Sequence, residues 1–169
     1  MPYLYQKAVE AHEFGWPMMR PMILEFADDP ACDTLDRQYM MGDALLVAPI
    51  FRKDGLVQYY LPDGLWTSLL DGEVVDGGKW QTEIHDFMSL PLMVRPSTVL
   101  PLGAVDSKPD YDYLDGVELH VYQLEDGESQ TVVIPDLKGN PAATFTVTMV
   151  DGEAQVETDS TKPYTVIVH

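Results

Sequence analysis

The chain contains one cysteine, Cys32, among its 169 residues. A single thiol excludes an internal disulfide framework, and a thiolate zinc site needs more than one cysteine. We therefore expect Cys32 to be a small, partly buried side chain.

Basic residues are also scarce, with 10 lysines and arginines against 28 acidic residues and a formal charge of −18. Phosphate contacts require clusters of lysine and arginine, so nucleic acid is excluded as a partner. Solubility is the simplest explanation of the acidity.

Long apolar runs are absent too. No stretch approaches the length needed to cross a bilayer, and the N-terminus lacks the basic head and apolar run of a signal peptide. We predict a cytoplasmic protein without membrane contact. The hydrophobic share of 46% supports a folded chain, long enough for one large or two small domains.

Familiar catalytic and metal-binding motifs are missing. The four histidines, which are widely separated in the sequence, form no HExxH pattern. They are His12, His85, His120 and His169. The serines, which include Ser68, Ser89 and Ser97, lie outside any GxSxG nucleophile elbow. No glycine-rich phosphate loop occurs. The sequence therefore predicts no metal-binding residues and no serine nucleophile.

The first half of the chain contains a helix pattern and two apolar segments. Residues Met1 to Phe14 show helical spacing and stop at Gly15 and Pro17. The continuous pattern of the two apolar segments predicts buried strands at Met18 to Phe26 and Ala44 to Ile50. Between them, the residues indicate an acidic turn and a short helix.

From residue 51 onward the pattern changes to short strands separated by Asp-Gly turns, which indicates antiparallel sheets. One segment, Thr144 to Met149, alternates apolar and threonine residues, so one of its faces should be buried. The predicted strands include Val57–Leu61, Leu90–Val94, Leu119–Leu124, Thr131–Ile134, Thr144–Val150 and Tyr164–Val168.

Several uncommon strings occur in order: PMMRPMILEFADDPA, LDRQYMMGDALLVAPIF, YYLPDGLW and SLPLMVRPSTVLPLG. They resemble the C-terminal third of family 31 glycoside hydrolases, and most closely the bacterial α-xylosidases. The resemblance covers about two thirds of the chain and fades beyond Gly116. In that family the string Met-Pro-Tyr-Leu-Tyr lies far inside the chain, so we expect Met1 to be an internal methionine and the chain to be a fragment.

The resemblance implies a mainly β fold: β-sandwich domains preceded by the last helix, strand and helix of a (β/α)8 barrel. We expect residues 1–43 to be the end of the barrel, 44–115 a proximal β-sandwich and 116–169 part or all of a distal one. Trp16 to Phe26 would be the last barrel strand, and Asp33 to Met41 the short helix that follows it.

The resemblance also implies a retaining α-glycosidase that acts on terminal α-linked xylosyl or glucosyl residues without metal or organic cofactor. Such enzymes use two facing carboxylates. The two aspartates of the family would lie upstream of Met1, so we assign no catalytic, substrate-binding or metal-binding residue within this chain and expect no hydrolysis by the chain alone.

Local acids are weak substitutes for that pair. Asp28 and Asp29 are adjacent and would point to opposite sides of an extended segment. Turn formation and helix capping are their simpler roles, although catalytic groups do follow barrel strands. Asp36 and Asp43 are expected on a helix face and in a turn.

Two arginines lie in apolar segments, where an unpaired charge is costly. We expect Arg20 and Arg95 to form structural ion pairs rather than substrate contacts. Glu25 is five positions from Arg20 and would point to the other strand face, so its partner should be elsewhere.

Aromatic residues raise an alternative function, a non-catalytic carbohydrate-binding or interaction module, because exposed rings stack on sugars. That hypothesis requires a contiguous exposed platform of three rings; otherwise the aromatics pack in cores, and one of Tyr59 and Tyr60 faces inward. The candidates are Tyr59, Tyr60, Trp66, Trp80, Tyr111, Tyr113 and Tyr122. If the chain is instead an enzyme fragment, an exposed apolar surface should remain and cause homo-oligomerisation or other self-association.

Overall fold

The computed structural model describes residues 1–169 and is mainly β. It divides into two compact units: residues 18–96 form one, and residues 1–17 together with 97–169 form the other. No helix in it combines the length and the apolar character that crossing a membrane requires.

Helix α1 spans Pro2–Phe14. Proline is tolerated in the first helical turn because the amides there have no intrahelical partner. Gly15 ends the helix in a left-handed conformation, with φ of 77°, and its amide donates to the carbonyl of Ala11. The predicted helix and its stop signal are confirmed.

The unit of residues 18–96 contains a six-stranded sheet and a two-stranded one. The larger has the order β1-β2-β3-β8-β5-β6, and its strand pairs are all antiparallel. The smaller consists of the antiparallel pair β4 and β7. The strands are β1 (Met19–Arg20), β2 (Tyr39–Met41), β3 (Leu45–Val47), β4 (Leu56–Leu61), β5 (Leu65–Ser68), β6 (Val74–Asp76), β7 (Lys79–Ile84) and β8 (Leu92–Val94).

The core of this unit is built on fully buried side chains from both sheets. Leu46 comes from the larger sheet and Tyr59 and Leu61 from the smaller, and Trp66 joins them. The indole N–H of Trp66 donates to the carbonyl of Pro62 at 2.8 Å, so its only polar atom is satisfied. Together, these contacts place the two sheets around one core.

The unit of residues 1–17 and 97–169 contains two three-stranded sheets, β14-β10-β9 and β11-β12-β13. Their buried residues form a single cluster that includes Leu119 on β10, Ile134 on β11 and Phe145 on β12, as expected for a β-sandwich. The strands are β9 (Thr98–Leu102), β10 (Val117–Tyr122), β11 (Ser129–Pro135), β12 (Pro141–Val150), β13 (Glu153–Thr158) and β14 (Tyr164–Val168).

Most predicted strands are confirmed, and Tyr164–Val168 has the predicted bounds. On β12 the alternation is also confirmed, because Phe145 and Val147 are buried while the neighbouring Thr144, Thr146 and Thr148 are only partly covered. The mainly β class and the sandwich are therefore correct.

The interpretation of residues 18–41 was wrong in detail. A two-residue strand, β1, is followed by Pro21 and the one-turn helix α2 (Met22–Glu25). Strand β1 pairs antiparallel with β2, whereas barrel strands are parallel. No helix forms over Asp33 to Met41: a 3₁₀ turn at Pro30–Cys32 precedes these residues, and β2 occupies the last three of them.

The compact units follow a different division from the expected ranges 1–43, 44–115 and 116–169. Residues 18–43 belong with the first sandwich strands, since β1, β2 and β3 share one sheet. Residues 97–115 belong with the last part of the chain, because β9 pairs with β10 and Tyr111 and Tyr113 enter the same core.

Candidate functional site

Two arginines converge on the carboxylate of Glu25. A guanidinium nitrogen of Arg20 is 2.7 Å from Oε1 of Glu25, and one of Arg95 is 3.0 Å from Oε2. Arg20 is only 5% exposed. The guanidinium of Arg95 also lies over the ring of Phe26, at 4.6 Å from its centroid, and donates to the carbonyl of Asp43. We call these three charged residues the Glu25 cluster.

The local backbone explains the Glu25 cluster. Pro21 has φ of −61° and precedes the single turn α2, and this turn brings Glu25 back toward Arg20. The expectation that Glu25 points away from Arg20 was wrong, because it assumed an extended segment. The expectation that both arginines form ion pairs is confirmed, and the pairs hold the start of this unit to the end of β8.

The aspartates considered as catalytic candidates have structural partners or lie in solvent. Asp29 caps the 3₁₀ turn by accepting from the amide of Ala31 at 3.0 Å, and its other oxygen accepts from the hydroxyl of Tyr60 at 3.0 Å. Asp28 and Asp36 are exposed. The capping role is confirmed for Asp29.

A polar network that the sequence did not reveal joins the β4–β7 pair to the loop after β7. The hydroxyl of Tyr59 donates to Glu83, whose other oxygen is 2.6 Å from Nε2 of His85. On its opposite side, Nδ1 of His85 is 3.0 Å from Oγ of Ser89. Burial and the hydrogen bond to Glu83 raise the pKa of Tyr59, so the phenol stays protonated. We call these four residues the His85 network.

The His85 network has the order serine, histidine and carboxylate that nucleophilic catalysis uses. Acyl transfer also requires backbone donors aimed at the developing oxyanion. The nearby amide of Met88 instead donates to Asp86 at 2.8 Å, and the Ser89 hydroxyl donates to the same carboxylate at 3.4 Å. The geometry therefore ties the loop to β7 and does not assemble an acyl-transfer centre. Only the antiparallel register of β4 and β7, which brings these residues together, could have indicated the His85 network from the sequence.

The cleft beside the His85 network is acidic. It has a volume of about 230 Å³ and is lined by Asp71, Glu73, Glu83 and His85, among others. Asp71 accepts from the amide of Glu73 at 3.1 Å; this bond and one from Ser68 lower its pKa. No group of three or more histidine, cysteine or acidic side chains in the structure has the arrangement of a metal site.

Two other histidines, far apart in sequence, meet in the second unit. Nδ1 of His120 is 2.9 Å from Nε2 of His169, and Glu118 lies 3.2 Å from the other nitrogen of His120. The ring of His169 stacks on Tyr122 at 4.3 Å. Burial and the neighbouring His120 lower the pKa of His169. This contact fastens the end of β14 to β10.

The aromatic residues are mostly core residues. Tyr59 and Tyr60 are both buried, so the expectation that only one faces inward was wrong, and Trp66, Tyr111, Tyr113 and Tyr122 are buried as well. Trp80 is the exception at 59% exposed. The contiguous platform of three exposed rings is therefore not formed by these seven residues.

Cys32 lies in the core of the first unit at 1% exposure. Burial, followed by the carboxylates of Asp29 and Asp33, raises the pKa of its thiol to about 11. Because the thiolate is the reactive form, Cys32 has the environment of an inert structural side chain.

Comparison with protein families gives two matches. The profile for the glycosyl hydrolase family 31 C-terminal domain matches residues 15–100, and that for the C-terminal domain of α-xylosidase YicI matches residues 112–169. The resemblance therefore continues past Gly116, where the sequence analysis expected it to fade. The two matches follow the division of the chain closely.

Curated relatives include α-xylosidases from two organisms. The chain is 39% identical over all its length to XylQ of Lactiplantibacillus pentosus and 38% identical over 94% of its length to an Emericella nidulans enzyme. It spans 23% and 21% of those proteins. A family 31 dextranase from Flavobacterium johnsoniae has the same fold over 92% of the chain, with a TM-score of 0.80 and 24% identity.

Proposed function

The chain belongs to glycosyl hydrolase family 31 and represents its C-terminal region, and from this premise we propose that it is the non-catalytic, structural part of a retaining α-glycosidase. The intact protein would remove terminal α-linked xylosyl or glucosyl residues from a carbohydrate substrate. The main support for this proposal is the 39% sequence identity to an α-xylosidase over the whole chain.

The structural role is supported by where the charged groups are used. Retaining glycosidases need two carboxyl groups roughly 5 Å apart across the sugar. In this chain the carboxylate of Glu25, whose side chain is 12% exposed, is held between Arg20 and Arg95, and Asp29 accepts hydrogen bonds from Ala31 and Tyr60. Both carboxylates are therefore used in contacts that stabilise the fold.

We propose that helix α1 is the last helix of the catalytic barrel in the intact protein. It precedes residue 15, at which the match to the C-terminal domain begins. In this proposal residues 15–169 pack against the barrel and stabilise it. The intact enzyme would work in the cytoplasm, the location predicted from the sequence.

We further propose that exposed apolar side chains mediate contacts with other protein surfaces. Ile84, Phe87 and Met88 are 76%, 107% and 89% exposed, and we call them the apolar tip. Met19, Ile23 and Leu24 are also exposed around β1 and α2. Large exposed apolar surfaces of this kind mark interaction sites.

Two assays test the structural role. The purified chain should not hydrolyse p-nitrophenyl α-xyloside, and turnover would refute the proposal. In the second assay the chain replaces the aligned C-terminal segment of XylQ. The hybrid should stay soluble and keep xylosidase activity within about tenfold of the parent, whereas XylQ without that segment should lose it. A hybrid that folds but is inactive would show that the segment contributes directly to catalysis.

The alternative, a carbohydrate-binding module with a planar aromatic platform, has less support because six of its seven candidate rings are buried. Trp80 is the one candidate ring of the seven that is exposed.

A further inference from the structure

A small cleft lies beside Trp80 in the unit of residues 18–96. Its volume is about 190 Å³, and its lining includes Arg37, Phe51, Arg52, Gln58 and Trp80. Drug-sized ligands occupy roughly 300–1,000 Å³, so this cleft suits something smaller. We call it the Trp80 cleft.

Trp80 is exposed but fixed in place. It is the cross-strand partner of Tyr60 in the β4–β7 pair, and the two rings lie 5.8 Å apart at 56°. The hydroxyl of Tyr60 is held by Asp29 at 3.0 Å. An aromatic face that is already ordered costs little conformational entropy when a ligand stacks on it.

The loop that carries Arg37 is anchored to the same tyrosine. The side-chain amide of Gln38 donates to the carbonyl of Tyr60 at 2.7 Å and accepts from its backbone amide at 2.7 Å. Gln38 is itself buried. Tyr60 therefore positions both the aromatic wall and the loop with the cationic group on the rim of the cleft.

The polar groups at the rim both donate and accept hydrogen bonds. Arg37 is exposed and forms no ion pair, so its N–H groups are available to a ligand. Arg52 is bound at two points by Asp54, at 2.6 and 3.0 Å, which balances its charge and lowers the pKa of Asp54 to about 2. The amide of Gln58 donates to Thr82 at 3.3 Å and leaves its side-chain carbonyl oxygen as an acceptor.

We propose that the Trp80 cleft is a subsite for one neutral sugar residue of an oligosaccharide. A pyranose ring presents an apolar face that stacks on an indole and hydroxyl groups that both donate and accept. Guanidinium and amide groups around an aromatic wall match that surface. A polyanion is disfavoured because one of the two arginines is neutralised and the chain carries a charge of −18. This subsite does not depend on the proposed enzyme function.

The test is a titration of the ¹⁵N-labelled 169-residue chain with isomaltotriose, followed through its three tryptophan indole N–H signals. The Trp80 signal, assigned with Trp80→Phe, should shift saturably up to about 20 mM ligand, consistent with millimolar affinity. The Trp66 signal should stay in place because that ring is buried in the core.

Variants identify the site. Trp80→Ala should weaken binding about tenfold or more and Arg37→Gln about threefold. Phe87→Ala, which removes a fully exposed ring elsewhere in the same unit, should leave the affinity unchanged. Trp80→Phe retains a ring, so it preserves the fold and should bind with intermediate affinity.

Three outcomes would overturn the proposal: no saturable shift of the Trp80 signal, equal loss of binding in Phe87→Ala, or tighter binding of a galacturonate trisaccharide than of isomaltotriose. The last would mean that the cleft selects an acidic ligand through Arg37. None of these outcomes bears on the xyloside assay, so failure of the subsite and failure of the structural role are distinguishable.

Discussion

At the scale of single residues, the Glu25 cluster is the arrangement most sensitive to substitution. Glu25→Gln keeps the shape of the side chain but removes the negative charge that Arg20, at 5% exposure, shares with Arg95. Removing one partner of a buried ion pair typically costs about 3 kcal/mol or more. We expect a loss of that size in the free energy of unfolding, measured by urea denaturation followed through tryptophan fluorescence.

The control for Glu25→Gln is Asp28→Asn, an identical loss of charge on an exposed residue three positions away. It should change the free energy of unfolding by less than about 0.5 kcal/mol. Equal effects of the two substitutions would mean that net charge, and not the two arginine contacts, is responsible.

Cys32 gives a prediction for pH dependence. Its thiol has a folded-state pKa of about 11, raised by burial and by Asp29 and Asp33, so the folded state favours the neutral form. The stabilisation is complete below about pH 9 and is lost as pH rises through the folded pKa. The difference in unfolding free energy between the native chain and Cys32→Ala should therefore shrink by about 2 kcal/mol from pH 8 to pH 10.5. A difference independent of pH would mean that the thiol pKa is not raised.

At the scale of elements, Gly55 closes the β4–β7 pair. Its φ is +75°, and its carbonyl accepts from the amide of His85 at 3.0 Å. A Cβ atom at Gly55 would overlap the carbonyl oxygen of His85, whereas one at Gly72, with φ of +80°, would meet nothing within 4 Å. An alanine at either position would have an unfavourable left-handed backbone, and at Gly55 it would also clash with the backbone of His85.

We therefore expect Gly72→Ala to lower the free energy of unfolding by about 1 kcal/mol, because of the left-handed conformation alone. Gly55→Ala should lower it by about 3 kcal/mol or more. Chemical denaturation of both variants measures the difference. If the two costs were equal, the turn at Gly55 would have room to adjust.

The elements that could be predicted from the sequence are those fixed by local chemistry. Helix α1 ends at a glycine, and β14 and β12 have apolar patterns of the right period. The errors came where tertiary context decided the outcome. Residues 18–26 are apolar enough for a buried strand, but Pro21 interrupts the hydrogen-bonding pattern and α2 forms instead.

The candidate sites were less predictable than the strands. The His85 network and the Trp80 cleft both depend on the register of β4 against β7, which pairs Tyr60 with Trp80 and Tyr59 with Gln81. A shift of one residue would turn these side chains to the opposite face. Nothing in the spacing of the residues specifies that register before the sheet is known.

At the scale of the whole molecule, a charge of −18 opposes association while the apolar tip favours it. Salt screens repulsion between exposed charges and leaves apolar attraction in place. We expect sedimentation velocity to show more self-association at about 0.5 M NaCl than at about 0.02 M. The double substitution Phe87→Ser and Met88→Ser should reduce it.

Leu137→Ser is the control for that experiment, because Leu137 is an exposed apolar residue of the other unit. It should leave the salt-dependent association unchanged. Association that falls as salt is added would contradict the prediction, since opposite charges would then be the source of attraction.

Strand β14 pairs in parallel with β10, with Val117 opposite Tyr164, while β11, β12 and β13 form a meander between them in the chain. During synthesis the meander can assemble from neighbouring segments, but one edge of β10 stays open until β14 has left the ribosome. Closing long loops is slower than forming hairpins. The two sheets of this sandwich should therefore mature in sequence, and the nascent chain would depend longest on chaperone protection along β10.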